Sequence, residues 1–160
     1  MEELRLFFAI DPFQWSDIFT AILCGFIVGL ERQLRGKPVG IRTSALIVLG
    51  TYLFVAASNS MINDVTDTSR IIGQVITGVG FLGAGVMLAK DGIVVGVTSA
   101  ATIWVLAGIG VAICVAGEFA AIKLSVLVVG ILYGVDVMEA YFASLTRGVH
   151  SKFNTWKNRR

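Results

Sequence analysis

Charge is scarce in this sequence. Only 15% of its 160 residues are Asp, Glu, Lys or Arg, against about 25% in an average soluble domain. A soluble chain of this length needs more polar surface than that, so an integral membrane protein is expected. Cysteine is nearly absent. Cys24 and Cys114 both lie in apolar runs, which excludes a disulfide framework and a Cys-based metal pattern. The sole histidine, His150, falls outside every apolar run. With no Cys/His pair and no metal-ligand cluster in view, neither an enzyme, a cofactor nor a bound metal is expected. The net charge of +2 is too small to point to nucleic acid. The opening MEELRLFFAIDPFQW has Glu2 and Glu3 where a secretory signal would be basic, so no cleaved signal peptide is expected.

What the chain does have is long apolar sequence, 56% hydrophobic with a mean hydropathy of +0.81. Five stretches stand out, at about 17–34, 40–57, 71–89, 93–117 and 119–137. They lack two-residue alternation, so they read as helices and not as barrel strands. The expected fold is an all-α integral membrane protein, a five-helix transmembrane bundle making one domain over 1–160. Residues 139–160 form a basic cytoplasmic tail. Ten of the 13 basic residues (Arg32, Arg35, Lys37, Arg42, Lys90, Arg147, Lys152, Lys157, Arg159 and Arg160) fall on one side of that topology. The other side has Arg5, Arg70 and Lys123. The positive-inside rule then puts the N-terminus outside and the C-terminus in the cytoplasm. Trp15 and Trp156 suit the membrane interface, and the tail RGVHSKFNTWKNRR reads either as a contact for anionic lipid or as a plain stop-transfer flank.

Shifting the chain by 56 residues lays GLERQLRGKPVGIRTSALI over GVMLAKDGIVVGVTSAATI. Gly29, Gly36, Val39, Gly40, Ala45 and Ile47 then meet Gly85, Gly92, Val95, Gly96, Ala101 and Ile103. This reads as a parallel repeat of two helical hairpins, or as chance matching of glycine-rich hairpins. The copies differ in chemistry, because Glu31, Arg32 and Arg42 meet Met87, Leu88 and Thr98.

Glycine is abundant, with 18 residues. Gly78, Gly80 and Gly83 spell GxGxxG, but inside an apolar run and with no acid near Ile103, so dinucleotide binding is not expected. Helix packing is the leading account for Gly73, Gly78, Gly80, Gly83 and Gly85, as for the pairs Gly25/Gly29 and Gly130/Gly134. A broken helix exposing backbone to an ion or solute is the alternative. Gln74 and Thr77 would then line a polar path or hydrogen-bond neighbouring helices. Thr98 and Ser99, at the head of the fourth stretch, join this candidate set.

Glu31 and Arg32 follow Ile18 after about 20 Å of helix, short of the roughly 30 Å that a bilayer core requires. Charges so placed should face the bundle and pair. Arg35, at i,i+4, is a weak partner for Glu31. Arg42 is its expected partner, and Asp136 or Glu139 is expected for Arg32. The four charges Glu31, Arg32, Arg42 and Asp136 thus form a candidate polar cluster, either functional or an orientation lock.

Four ordered motifs carry a resemblance over most of Cys24 to Gly117: Gly29-Leu30-Glu31-Arg32, Gly40-Ile41-Arg42-Thr43, Gly78-Val79-Gly80-Phe81-Leu82-Gly83-Ala84-Gly85, and Gly96 through Trp104. With them the chain resembles the MgtC/SapB family of bacterial membrane proteins. The resemblance implies an inner-membrane protein linked to magnesium limitation and, in pathogens, to survival inside host cells. It implies an accessory or regulatory role, including restraint of the proton-driven ATP synthase. Members were also named as magnesium transporters. Many members add a cytoplasmic ACT-like domain, and this chain reads as a short form lacking it. Two classes of function follow: a non-enzymatic regulator that binds a membrane partner or a second copy of itself, or a transporter of Mg²⁺ or another small solute.

Overall fold

The computed structural model describes residues 9–60, 68–90 and 93–141. Five helices account for most of them: α1 (Trp15–Leu34), α2 (Ile41–Ser60), α3 (Thr68–Gly85), α4 (Val97–Ala116) and α5 (Glu118–Tyr141). The fold is an all-α membrane bundle. By length and apolar composition alone, α2, α4 and the Glu118–Met138 part of α5 can cross a bilayer. The other two fall short of that measure: α1 carries Asp17, Glu31 and Arg32, and α3 carries Arg70, Gln74 and several glycines.

Two of the expected helices are shorter than the apolar runs suggested. The run 71–89 stops being helical at Gly85, and the run 93–117 becomes helical only at Val97. Between them stand β1 (Leu88–Lys90) and β2 (Ile93–Val95), paired antiparallel with Leu88 opposite Val95 and Lys90 opposite Ile93. The physical cause is local. Ile93, Val94 and Val95 are β-branched and favour a pleated strand. Gly96 then turns the chain into α4 with φ +89°, and a Cβ there would lie 2.2 Å from the Val86 carbonyl oxygen. No other residue fits that corner.

α2 is the centre of the bundle. It packs on α1, α4 and α3, while α5 lies across α1 and α4. Small residues decide how closely the helices approach. A Cβ on Gly25 would sit 2.4 Å from the Ala45 Cα, and one on Gly29 would sit 2.6 Å from the Ile41 Cα. The Gly25-x-x-x-Gly29 face of α1 therefore rests directly on the α2 backbone. On the far side of α2, a Cβ on Gly110 of α4 would lie 2.6 Å from the Val48 carbonyl oxygen. Val28, Val48, Tyr52, Ile103, Leu106 and Ile109 fill the core between these contacts. α2 and α4 are both 20 residues long and start 56 positions apart, at Ile41 and Val97. Each opens with the same bond, from Ser44 N–H to the Gly40 carbonyl and from Ala100 N–H to the Gly96 carbonyl. The 56-residue offset thus holds for helix boundaries as well as for letters.

One polar side chain crosses this core. Tyr52 is 1% exposed. Its hydroxyl accepts from the Gln14 backbone N–H at 3.2 Å and donates to Asp17 Oδ2 at 3.1 Å. Gln14, just ahead of α1, and Asp17, in its first turn, are fastened to α2 by these two bonds. Tyr52→Phe should lower stability by about 1 kcal/mol, because it removes two bonds from a buried hydroxyl whose partners, half-buried Asp17 and exposed Gln14, can turn to water. Thermal unfolding in detergent measures this. An unchanged midpoint would mean that the hydroxyl is no better bonded here than in water.

Candidate functional site

The charged end of the bundle is built where α1 runs out. A helix places residues i and i+4 on one face and residue i+1 about 100° away. Glu31 and Arg35 therefore point together toward α5, and Arg32 points elsewhere. Glu31 Oε1 lies 2.8 Å from Arg35 Nε, with the Glu31 side chain 8% exposed and the Arg35 side chain 26%. Neither Glu31 oxygen receives an aligned hydrogen bond, so the pair is a contact of charge rather than geometry. The other edge of the Arg35 guanidinium donates to Asp136 Oδ2 on α5. Its Cζ lies 5.0 Å from the centroid of the Tyr133 ring, within cation–π range. One arginine thus holds two carboxylates and an aromatic ring.

Arg32 turns to α4. It is 4% exposed, and its Nη2 donates to Ser99 Oγ at 2.7 Å across 67 residues of sequence. Arg32 Nε has no hydrogen-bond partner. Ser99, at the head of α4, is 3% exposed. The network joins α1 to α4 through Arg32 and to α5 through Arg35.

The expected pairing changes in two places. Glu31 pairs with Arg35 and not with Arg42, and Asp136 pairs with Arg35 and not with Arg32. The cause of the first is the seating of α2. Gly29 meets Ile41 and Gly25 meets Ala45, so the face of α2 toward α1 runs through Ile41, Ser44, Ala45 and Val48. Arg42 is 100° off that face and exposed. The cause of the second is the same rotation on α1, which gives the α5 side to Arg35. Sequence reasoning named Arg35 only as a weak local partner. The signal that would have found it is Asp136, an acid in the last two turns of α5. Glu139, the other expected partner, has a side chain outside the described set.

The glycine-rich candidates divide. Gly83 is buried and meets Ala100 of α4 at an ordinary 3.6 Å from the carbonyl oxygen. Gly73, Gly78, Gly80 and Gly85 meet nothing within 4 Å, and neither do Gly130 and Gly134. As packing residues within this chain they are corrected: α3 lays only one edge on α4 and turns its other glycines outward. The polar path expected from Gln74 and Thr77 is also not assembled. Both side chains are exposed, and Thr77 Oγ1 donates back to the Gly73 carbonyl at 2.8 Å within α3. Thr98 is exposed too, its carbonyl accepting from Thr102 Oγ1 at 2.7 Å. Among the described residues, no three His, Cys, Asp or Glu side chains come together as metal ligands.

Residues 18–141 match the profile of the MgtC family. The chain is 50% identical over 103 residues to the protein described as "Putative magnesium transporter YhiD" of Escherichia coli K12, a match covering 60% of this chain and 47% of that one. It is 40% identical over 119 residues to Protein MgtC of Salmonella typhimurium LT2, covering 74% and 48%. It is 34% identical over 153 residues to a protein of Haemophilus influenzae, covering 90% and 64%. The chain therefore spans about half to two thirds of the length of these relatives. No solved structure matches it significantly. The matched stretch runs from the start of α1 to the end of α5 and includes the whole Glu31–Arg32–Arg35–Ser99–Asp136 network: the chain belongs to the MgtC family.

Proposed function

We propose that the chain is a non-enzymatic inner-membrane protein that serves adaptation to magnesium limitation by regulating a membrane partner, with its charged end in the cytoplasm. One observation carries this reading: Glu31 and Asp136 are both engaged by Arg35. Mg²⁺ requires carboxylate and water oxygens in a tight octahedron. A guanidinium between two acids stands where such a cation would have to sit. The outward apolar faces of α3 and α5, with Phe81 82% and Phe119 80% exposed, suit lipid and partner helices. The second reading is a transporter for Mg²⁺ or another small solute, and the name of the Escherichia coli relative favours it.

Liposomes holding purified protein and an entrapped Mg²⁺-sensitive dye separate the two. Regulation predicts no Mg²⁺ entry above that of protein-free vesicles. It also predicts that a photo-crosslinker at Phe81, in cells grown at low magnesium, captures a second membrane protein. Mg²⁺ entry that saturates with concentration and is lost in Glu31→Gln would overturn the regulatory reading.

A further inference from the structure

Between α2 and α3 lies a groove of about 690 Å³, within the roughly 300–1,000 Å³ range of small-molecule sites. Leu46, Gly50 and Phe54 form its α2 wall, and Gly78 and Leu82 form much of its α3 wall. Arg42 stands at one end. Leu46, Phe54 and Leu82 are 62%, 66% and 51% exposed, so the groove opens sideways, where hydrocarbon would lie. Both wall glycines face into empty space, with nothing within 4 Å of an added Cβ.

We propose that this groove binds one anionic phospholipid, with an acyl chain between α2 and α3 and the phosphate on Arg42. Three observations fit that occupant. Arg42 is exposed and has no ion-pair partner among the described residues, whereas Arg35 has two acids. A lone cation at the end of an apolar slot complements an amphiphile that is anionic at one end. The length agrees as well: from Arg42 to Phe54 the α2 wall rises about 18 Å, close to the roughly 15 Å of hydrocarbon in one leaflet. Gly50 and Gly78 leave room for a chain between the walls, where larger side chains would fill it. The other members of the lining are apolar apart from Thr43, Thr51 and Gln74, so a hydrated solute has few partners there.

The test is native mass spectrometry of the full chain, released from detergent with phosphatidylglycerol or phosphatidylcholine. The parent should retain one phosphatidylglycerol about tenfold more strongly than phosphatidylcholine, because both carry a phosphate but the choline cation of the second offsets its charge-assisted bond to Arg42. Arg42→Gln should abolish that preference, and Arg42→Lys should keep most of it. Gly78→Phe should lower retention of both lipids about tenfold while the thermal midpoint stays near the parent's, because the new ring enters open space. Equal retention of phosphatidylglycerol by parent, Arg42→Gln and Gly78→Phe would overturn the proposal. So would disulfide cross-linking between Gly50→Cys and Gly78→Cys variants of two separate copies, which would assign the groove to a second chain.

Discussion

Gly25→Ala should destabilise the bundle sharply, whereas Gly80→Leu should leave it close to the parent. The difference lies in what each new atom meets. At Gly25 a single methyl would sit 2.4 Å from the Ala45 Cα and 2.6 Å from its backbone nitrogen. Carbon atoms in contact normally lie about 3.5–4.0 Å apart. No side chain can move aside, because the obstacle is the α2 main chain. α2 must shift by roughly 1 Å, and that loosens Val28 and Cys24 against Val48 and Tyr52 as well. Overpacking a core typically costs about 1–3 kcal/mol, occasionally more. Displacing a whole helix interface belongs at the upper end, and Gly29→Ala, with 2.6 Å to the Ile41 Cα, should behave alike. Gly80 meets no atom within 4 Å. Size-exclusion profiles and thermal midpoints in detergent would report both results. A Gly25→Ala protein as stable as the parent would mean that α1 and α2 do not approach this closely.

The second large effect is expected at Arg35. Arg35→Gln removes the cation from Glu31, which is buried, and from Asp136, whose side chain is 43% exposed. Breaking a buried pair from one side typically costs about 3–5 kcal/mol. Arg35 is a quarter exposed, so the lower figure applies. Glu31→Gln in the same chain should restore much of the loss, since the amide needs no counter-charge. Asp136→Asn alone should cost less than about 1 kcal/mol, as half-exposed pairs do. Arg42→Gln should stay within about 0.5 kcal/mol of the parent in stability. Thermal unfolding of these four variants separates the cluster from its surroundings. Equal loss in Arg35→Gln and Arg42→Gln would show that the end charges act as a diffuse field and not as this network.

The apolar runs showed the five helices. Two things were harder to read, for different reasons. The β1–β2 hairpin was hidden because its residues are as apolar as the helices beside them. The available signal was local, an Asp91-Gly92 dipeptide followed by three β-branched residues, which is turn chemistry and not hydropathy. The pairing of charges could not be read at all without the rotation of each helix. Arg32 and Arg35 are three residues apart, within about 4.5 Å of each other along the axis, yet one meets Ser99 and the other Asp136. The same ambiguity covers the glycines. A small-residue stripe shows that close approach is allowed, and only the partner's position shows whether it happens. It happens at Gly25, Gly29 and Gly110, and it does not at Gly80.

The span of sequence between Arg35 and Asp136 also sets an order in time. The two residues are 101 positions apart, and a ribosome adds about 5–20 residues per second. The glycine seat between α1 and α2 is complete once Ser60 has entered the membrane, because every atom it uses is already present. For the following ~4–15 s, Arg35 has Glu31 as its acid and Asp136 has not yet been added. The neighbour four residues away is weak as an architectural bond, but it is the one available at birth. It keeps the charge at the end of α1 compensated until α5 brings Asp136 to it.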